Sequence, residues 1–112
     1  MAKEDSYQTS YIRQKVKKSE ITISGHALEN MGLRKIRLDE ALEAVLNGKE
    51  VEIQQFEGKM VRVTFQESTE GDPKFAVVVA ADHPEVVVVT VFNFNEEKFE
   101  YIEGQKCWRR KK

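Results

Sequence analysis

A single cysteine, Cys107, stands in the 112 residues, which excludes an internal disulfide and a cysteine-rich zinc site. Histidine is nearly as scarce. His26 and His83 are the only two, and without suitably placed thiols or paired carboxylates they make a poor metal site, so neither a metal nor a cofactor is expected. The longest uninterrupted apolar run, Phe75 to Ala81, is far shorter than the roughly 20 residues a membrane helix requires. The stretch from Met1 to Gln8 has no apolar core, so a secretory signal is not expected and the cytoplasm is the expected location. Also missing are a glycine-rich phosphate loop, a Ser-His-Asp set, an internal repeat and a low-complexity segment.

What is present fits one soluble α+β domain, with 40% apolar and 33% charged residues. The net charge of −1 is unevenly placed: residues 1–18 carry +3, residues 105–112 carry +5, and residues 19–104 carry −9. Basic ends on an acidic body suit contact with a polyanion or simple solvation. The expected organisation is a basic arm over 1–19, one domain over 20–104 and a basic tail over 105–112. Within the arm, Ile12 and Val16 lie four apart among Lys15, Lys17 and Lys18, which fits a docking helix or a tail ordered by a partner.

The chain is organised around Ile21 to Ile36. Ile21 and Ile23 alternate with polar residues as a short strand. Ser24 stands where a helix N-cap belongs, Ala27, Leu28 and Met31 form a buried stripe, and Gly32 is the expected stop. A second helix runs over Leu38–Asn47 on the stripe Leu38, Ala41, Leu42, Val45 and Leu46, closed by Asn47-Gly48 as a pair suited to left-handed backbone. From residue 50 the period becomes two. Four strands are expected, Val51 to Phe56, Met60 to Gln66, Phe75 to Ala81 and Glu85 to Phe94, with short links at Glu57-Gly58-Lys59 and Asp82-His83-Pro84 and a last short piece over Phe99 to Ile102. Such links make an antiparallel meander with the two helices on one face. The other, Val-rich face needs the termini, a second copy or a partner protein as cover.

Chemistry concentrates at His26, in the first helical turn beside Arg34, Lys35 and Arg37 on the connector. An imidazole that moves protons beside a guanidinium that binds an oxyanion is a minimal set for phosphodiester chemistry. Arg62 points away from Val61 and Val63, and such a residue is solvent-facing unless its face is a cleft. Thr90 is expected on one face with Val86, Val88, Phe92 and Phe94, where its hydroxyl requires a partner or a ligand. In the tail, Trp108 among Lys106, Arg109 and Arg110 suits stacking on a base beside phosphates, or packing on the open sheet face.

The order strand, His26-Ala27, Met31, Arg34, Ile36 and an acidic-started helix resembles a bacterial domain-of-unknown-function family with the pattern His-Ala-x-x-Arg-Met-x-x-Arg-Gly-Ile and a terminal Thr-x-Tyr strand. The resemblance covers about residues 21–94. It implies a RelE-like fold in the group of metal-independent ribonucleases that includes barnase and EndoU, and a place beside an antitoxin. Thr90 matches the terminal-strand threonine. Asn30, Lys35 and Phe92 replace arginine, glycine and tyrosine.

The resemblance thus implies a toxin-like endoribonuclease with His26, Arg34 and Thr90 in catalysis, and Arg62 joins them if the open face is the cleft. Lys35, Arg37, Lys106, Trp108, Arg109 and Arg110 hold RNA in that reading. RNA or the ribosome is the expected partner, with an antitoxin or a second copy on the Val-rich face and no membrane contact. The alternative is a non-catalytic interaction or dimerisation module, which Asn30, Phe92 and the Val-rich open face favour.

Overall fold

The computed structural model describes residues 7–55, 60–82 and 85–111. Among them the chain runs α1 (Tyr7–Lys17), β1 (Thr22–Ile23), α2 (Gly25–Arg34), α3 (Leu38–Asn47), β2 (Glu50–Gln55), β3 (Val61–Gln66), β4 (Phe75–Asp82), β5 (Glu85–Asn93), β6 (Phe99–Ile102) and β7 (Cys107–Arg110). The expected turns at residues 57–59 and 83–84 lie outside the described residues.

The architecture is α+β, with corrections to the expected two helices on a four-stranded antiparallel sheet. β2, β3, β4 and β5 do form the antiparallel meander. The leading strand β1 joins them, parallel to β5, giving one mixed sheet in the order β1-β5-β4-β3-β2. The intervening elements supply the long crossover that a parallel pair requires. β6 and β7 form a separate antiparallel pair.

A third helix, α1, belongs to the core. Its Ile12 is fully buried and Val16 nearly so, in one cluster with Ala27, Met31, Ala41, Val45, Val63, Phe65, Val77, Val79, Val88 and Val91. α1 also completes α3. Arg13 donates from Nε to Val45 O at 2.9 Å and from Nη2 to Gly48 O at 2.5 Å. A helix leaves its last carbonyls without intrahelical partners, and α3 has no basic residue in its own last turn, so Arg13 supplies both donors and charge there. Thr9 is fully buried and bonds through Oγ1 to the Glu50 carboxylate.

The expected stop at Gly32 differs from the structure, while α3 does end at Asn47-Gly48 but without left-handed backbone. α2 runs through Gly32 to Arg34, and Lys35 takes the left-handed turn at φ 57°. The N–H of Ile36 then reaches back to Met31 O at 2.9 Å, and both side chains are buried, so apolar contact fixes this end. Gly48 is extended, with φ −76° and ψ 165°. Glycine is required there for space: an added Cβ would stand 1.9 Å from the Gln66 carbonyl oxygen.

On the sheet face away from this core, Thr64, Gln66, Ala76 and Val78 are buried. The chain's own C-terminal hairpin provides cover toward the Phe92 end. Phe99 and Cys107 form a second cluster with Val51, packed against Phe92, Phe94 and Trp108. Trp108 stacks on Phe94 with centroids 4.8 Å apart, and its Nε1 donates to Pro73 O at 2.7 Å. The Gln66 amide clasps β7, donating to Lys106 O at 2.8 Å and accepting from Trp108 N at 3.0 Å.

Candidate functional site

Ser24 builds the site by pinning the start of α2 to β5. Its backbone N–H donates to Val88 O at 3.0 Å. Its Oγ accepts from Ala27 N at 3.0 Å, capping the helix, and donates to Val89 O at 3.0 Å. β1 pairs with β5 at Val87 and Val88, and α2 packs against the strand alongside. His26 is therefore delivered at the second helical position of a helix that packs against β5.

β5 prepares the other side with a bulge. Val78 pairs with Thr90 and Val79 with Val88, which leaves Val89 as an inserted residue. The insertion corrects the expected period-two face. Val86, Val88 and Val91 enter the helix-side core, while Thr90 and Phe92 turn to the opposite face. Without the bulge, Thr90 would share the face of Val88.

The bulge brings together residues that lie 60 apart in sequence. Asn30 Nδ2 lies 3.0 Å from His26 Nε2 and 3.1 Å from Thr90 Oγ1, and the Thr90 hydroxyl donates to Val91 O at 3.3 Å. His26 is exposed, and Asn30 and Thr90 are half-buried. The Asn30 amide thus faces the ring at Nε2 on one side and the Thr90 hydroxyl on the other.

The cations stand at different distances from this cluster. Arg34 is exposed on the i, i+4, i+8 stripe of His26 and Asn30, about 12 Å along the helix from His26. Lys35 follows at the exposed turn. Arg37 is bidentate to Asp39, at 3.0 and 2.7 Å. Arg62 pairs with Ala80, and Thr64 with Val78 and so with Thr90. Arg62 and Thr90 thus share the sheet face opposite the Val63 and Val77 core, two strands and one row apart, about 12 Å between Cα atoms at standard strand spacing, with α2 reaching Thr90 through Asn30.

Most of the C-terminal candidates are engaged within the fold. Trp108 is packed among aromatics. Arg109 Nη1 donates to Val51 O at 3.1 Å and to Cys107 Sγ at 2.8 Å. Arg110 is bidentate to Glu52 and lies 4.7 Å over the Phe99 ring. Lys106 is exposed at a left-handed turn.

Sequence reasoning placed Asn30 only as a replacement for arginine, and the structure makes it the link between helix and strand. Its position four residues after His26 and four before Arg34 was the available signal. Among the described residues, no cluster of three or more His, Cys, Asp or Glu side chains could hold a metal ion, and no helix is long and apolar enough to cross a membrane.

No curated protein and no solved structure matches the chain. A family match does cover more than half of it, over residues 23–93, taking in His26, Asn30, Arg34, Arg62 and Thr90 and leaving out α1 and the β6–β7 hairpin. The chain therefore belongs to the family described as Domain of unknown function (DUF4258).

Proposed function

We propose that this chain is a RelE-like, toxin-type endoribonuclease that works in the cytoplasm beside an antitoxin. The observation that carries the reading is the meeting of His26, Asn30 and Thr90 at the β5 bulge, with Arg34 on the same helix stripe and Arg62 on the same sheet face as Thr90. His26 Nε2 accepts the proton of an RNA 2′-hydroxyl, and the freed oxygen attacks the adjacent phosphorus. The bond to the 5′-oxygen breaks, leaving a 2′,3′-cyclic phosphate and a 5′-hydroxyl that takes its proton from the imidazolium. Arg34 and Arg62 stabilise the charge that accumulates on the phosphoryl oxygens. The nucleophile is internal to the RNA, so proximity is supplied by the substrate itself and a metal-activated water is unnecessary. Exposed Lys35 and Lys106 add attraction to the RNA backbone, which weakens as salt rises.

Expression in a bacterial host tests this without a chosen substrate. Wild-type chain arrests growth, and His26→Ala and Arg34→Ala at equal soluble levels relieve the arrest. Normal growth at high soluble expression of the wild type overturns the reading.

One observation favours a second reading, a non-catalytic interaction module on the same fold. The Asn30 amide occupies His26 Nε2, and Leu33, on the same stripe of α2, is 73% exposed. A module of this kind uses that stripe as a protein contact and causes no RNA cleavage.

A further inference from the structure

Asn30 has two amide hydrogens, and its Nδ2 stands 3.0 Å from His26 Nε2 and 3.1 Å from Thr90 Oγ1, so both atoms are within reach of one amide group. The Thr90 hydroxyl sends its own hydrogen to Val91 O at 3.3 Å, so its oxygen is left to accept. These directions are mutually dependent. If Asn30 turned its oxygen to the ring, Nδ2 would leave Thr90 Oγ1. Thr90 would then have to abandon Val91 O to restore a bond with Asn30. Because a neutral imidazole carries one proton, a lone pair at Nε2 places that proton on Nδ1.

We propose that Asn30, held by Thr90, is a positioning residue that selects the Nδ1–H tautomer of His26 and keeps Nε2 as its proton-accepting nitrogen. An unconstrained imidazole in water favours the other tautomer, with the proton on Nε2, so the selection has a spectroscopic signature. The spacing makes it local and firm. Asn30 lies one helical turn from His26, and the β5 bulge sets Thr90 on the far side of the amide. The same contacts explain why a carboxamide stands here: leucine offers no donor, and aspartate at neutral pH accepts but cannot donate.

The catalytic meaning of this selection rests on the ribonuclease reading. A base that takes the 2′-hydroxyl proton needs an unprotonated Nε2, and the substrate oxygen replaces the amide hydrogen at that lone pair. Once Nε2 is protonated, Asn30 turns over so that Oδ1 accepts from Nε2–H, and the Thr90 hydroxyl swings from Val91 O to the same oxygen. The proton is held by one rotation of an amide and one of a hydroxyl, with the backbone unchanged.

The test is NMR of the full chain with isotope-labelled histidine, without RNA, at about pH 8.5, well above the ordinary histidine pKa of about 6.5. A His26→Gln spectrum assigns the His26 ring against His83. In the wild type, Nε2 resonates as a bare nitrogen and Nδ1 as a protonated one. Asn30→Asp inverts the pattern, because the carboxylate accepts from Nε2–H. Asn30→Leu, which has no polar group, relaxes the ring to the Nε2–H form of free imidazole, and Thr90→Val shifts it in the same direction. A protonated Nε2 in the wild type overturns the proposal, as does an unchanged Nδ1–H pattern in both Asn30 variants. Since the readout uses no RNA, an inactive chain with the expected tautomers refutes the ribonuclease reading alone. An active chain with the wrong tautomer refutes this proposal alone.

Discussion

Replacing Ile12 by alanine tests whether α1 is part of the folded domain or an appendage to the matched family segment. Ile12 is fully buried and sits among core residues from the other helices and the sheet. The substitution removes three carbons, worth about 2.4 kcal/mol at 0.8 kcal/mol per buried methylene. The cavity adds to this, because neighbours from separate elements relax only in part, which brings the expected loss to about 3–4 kcal/mol. For 112 residues the total stability is on the order of 6–17 kcal/mol, so the variant folds with a clearly lower denaturation midpoint. The assay is urea unfolding followed by far-UV circular dichroism, with Leu33→Ala as the control. Leu33 is 73% exposed, and its truncation stays within about 0.5 kcal/mol of wild type. An Ile12→Ala loss as small as the control would refute the placement of α1 in the core.

Three further substitutions follow from individual contacts. Gly48→Ala forces a Cβ to 1.9 Å from a backbone oxygen that no rotamer change can move, and it lowers stability by about 3 kcal/mol or more, read as a fall in melting temperature. Gln66→Leu leaves Lys106 O and Trp108 N without the bonds that clasp the hairpin; it costs about 1–3 kcal/mol, and Trp108 fluorescence shifts to the red before the far-UV signal changes. Ser24→Ala removes the α2 cap and the donor to Val89 O together, lowering the urea midpoint by about 1–2 kcal/mol of stability. A wild-type midpoint in any of the three contradicts the contact it targets.

How far the sequence could be read depended on how many residues shared a message. α3 was legible because five apolar residues keep helical spacing and its acidic residues crowd the first turn. The meander was legible because β2 to β5 switch to period two with short links. α1 was ambiguous because Ile12 and Val16 alone carry its buried face, and the third buried residue is a threonine paired with a distant carboxylate. Packing of Trp108 on the sheet was one of two readings of the tail, and it stacks on Phe94; the rest read as charge, yet Cys107 turns inward and both arginines find acceptors on β2. Those partners lie more than ten residues away and leave no local trace.

The site was half legible for a similar reason. His26 and Ser24 stand out locally, because a cap and a first-turn histidine have fixed spacing. The face of Thr90 was hidden inside a run of valines. Valine suits either side of a sheet, so the run contains nothing to mark Val89 as an inserted residue. Once the bulge is known, Asn30 becomes the connection between the two ends of the family match.

Cleavage of bacterial RNA by the purified chain, with and without ribosomes and, for ribosome-free RNA, in the presence of a metal chelator, separates a nuclease from an interaction module. A nuclease of this kind yields fragments ending in 2′,3′-cyclic phosphate with 5′-hydroxyl partners, and its rate falls about 10²–10⁴-fold in folded His26→Ala, the usual contribution of a general base. Cleavage that persists undiminished in that variant, or cleavage of ribosome-free RNA that the chelator abolishes, would contradict the ribonuclease reading.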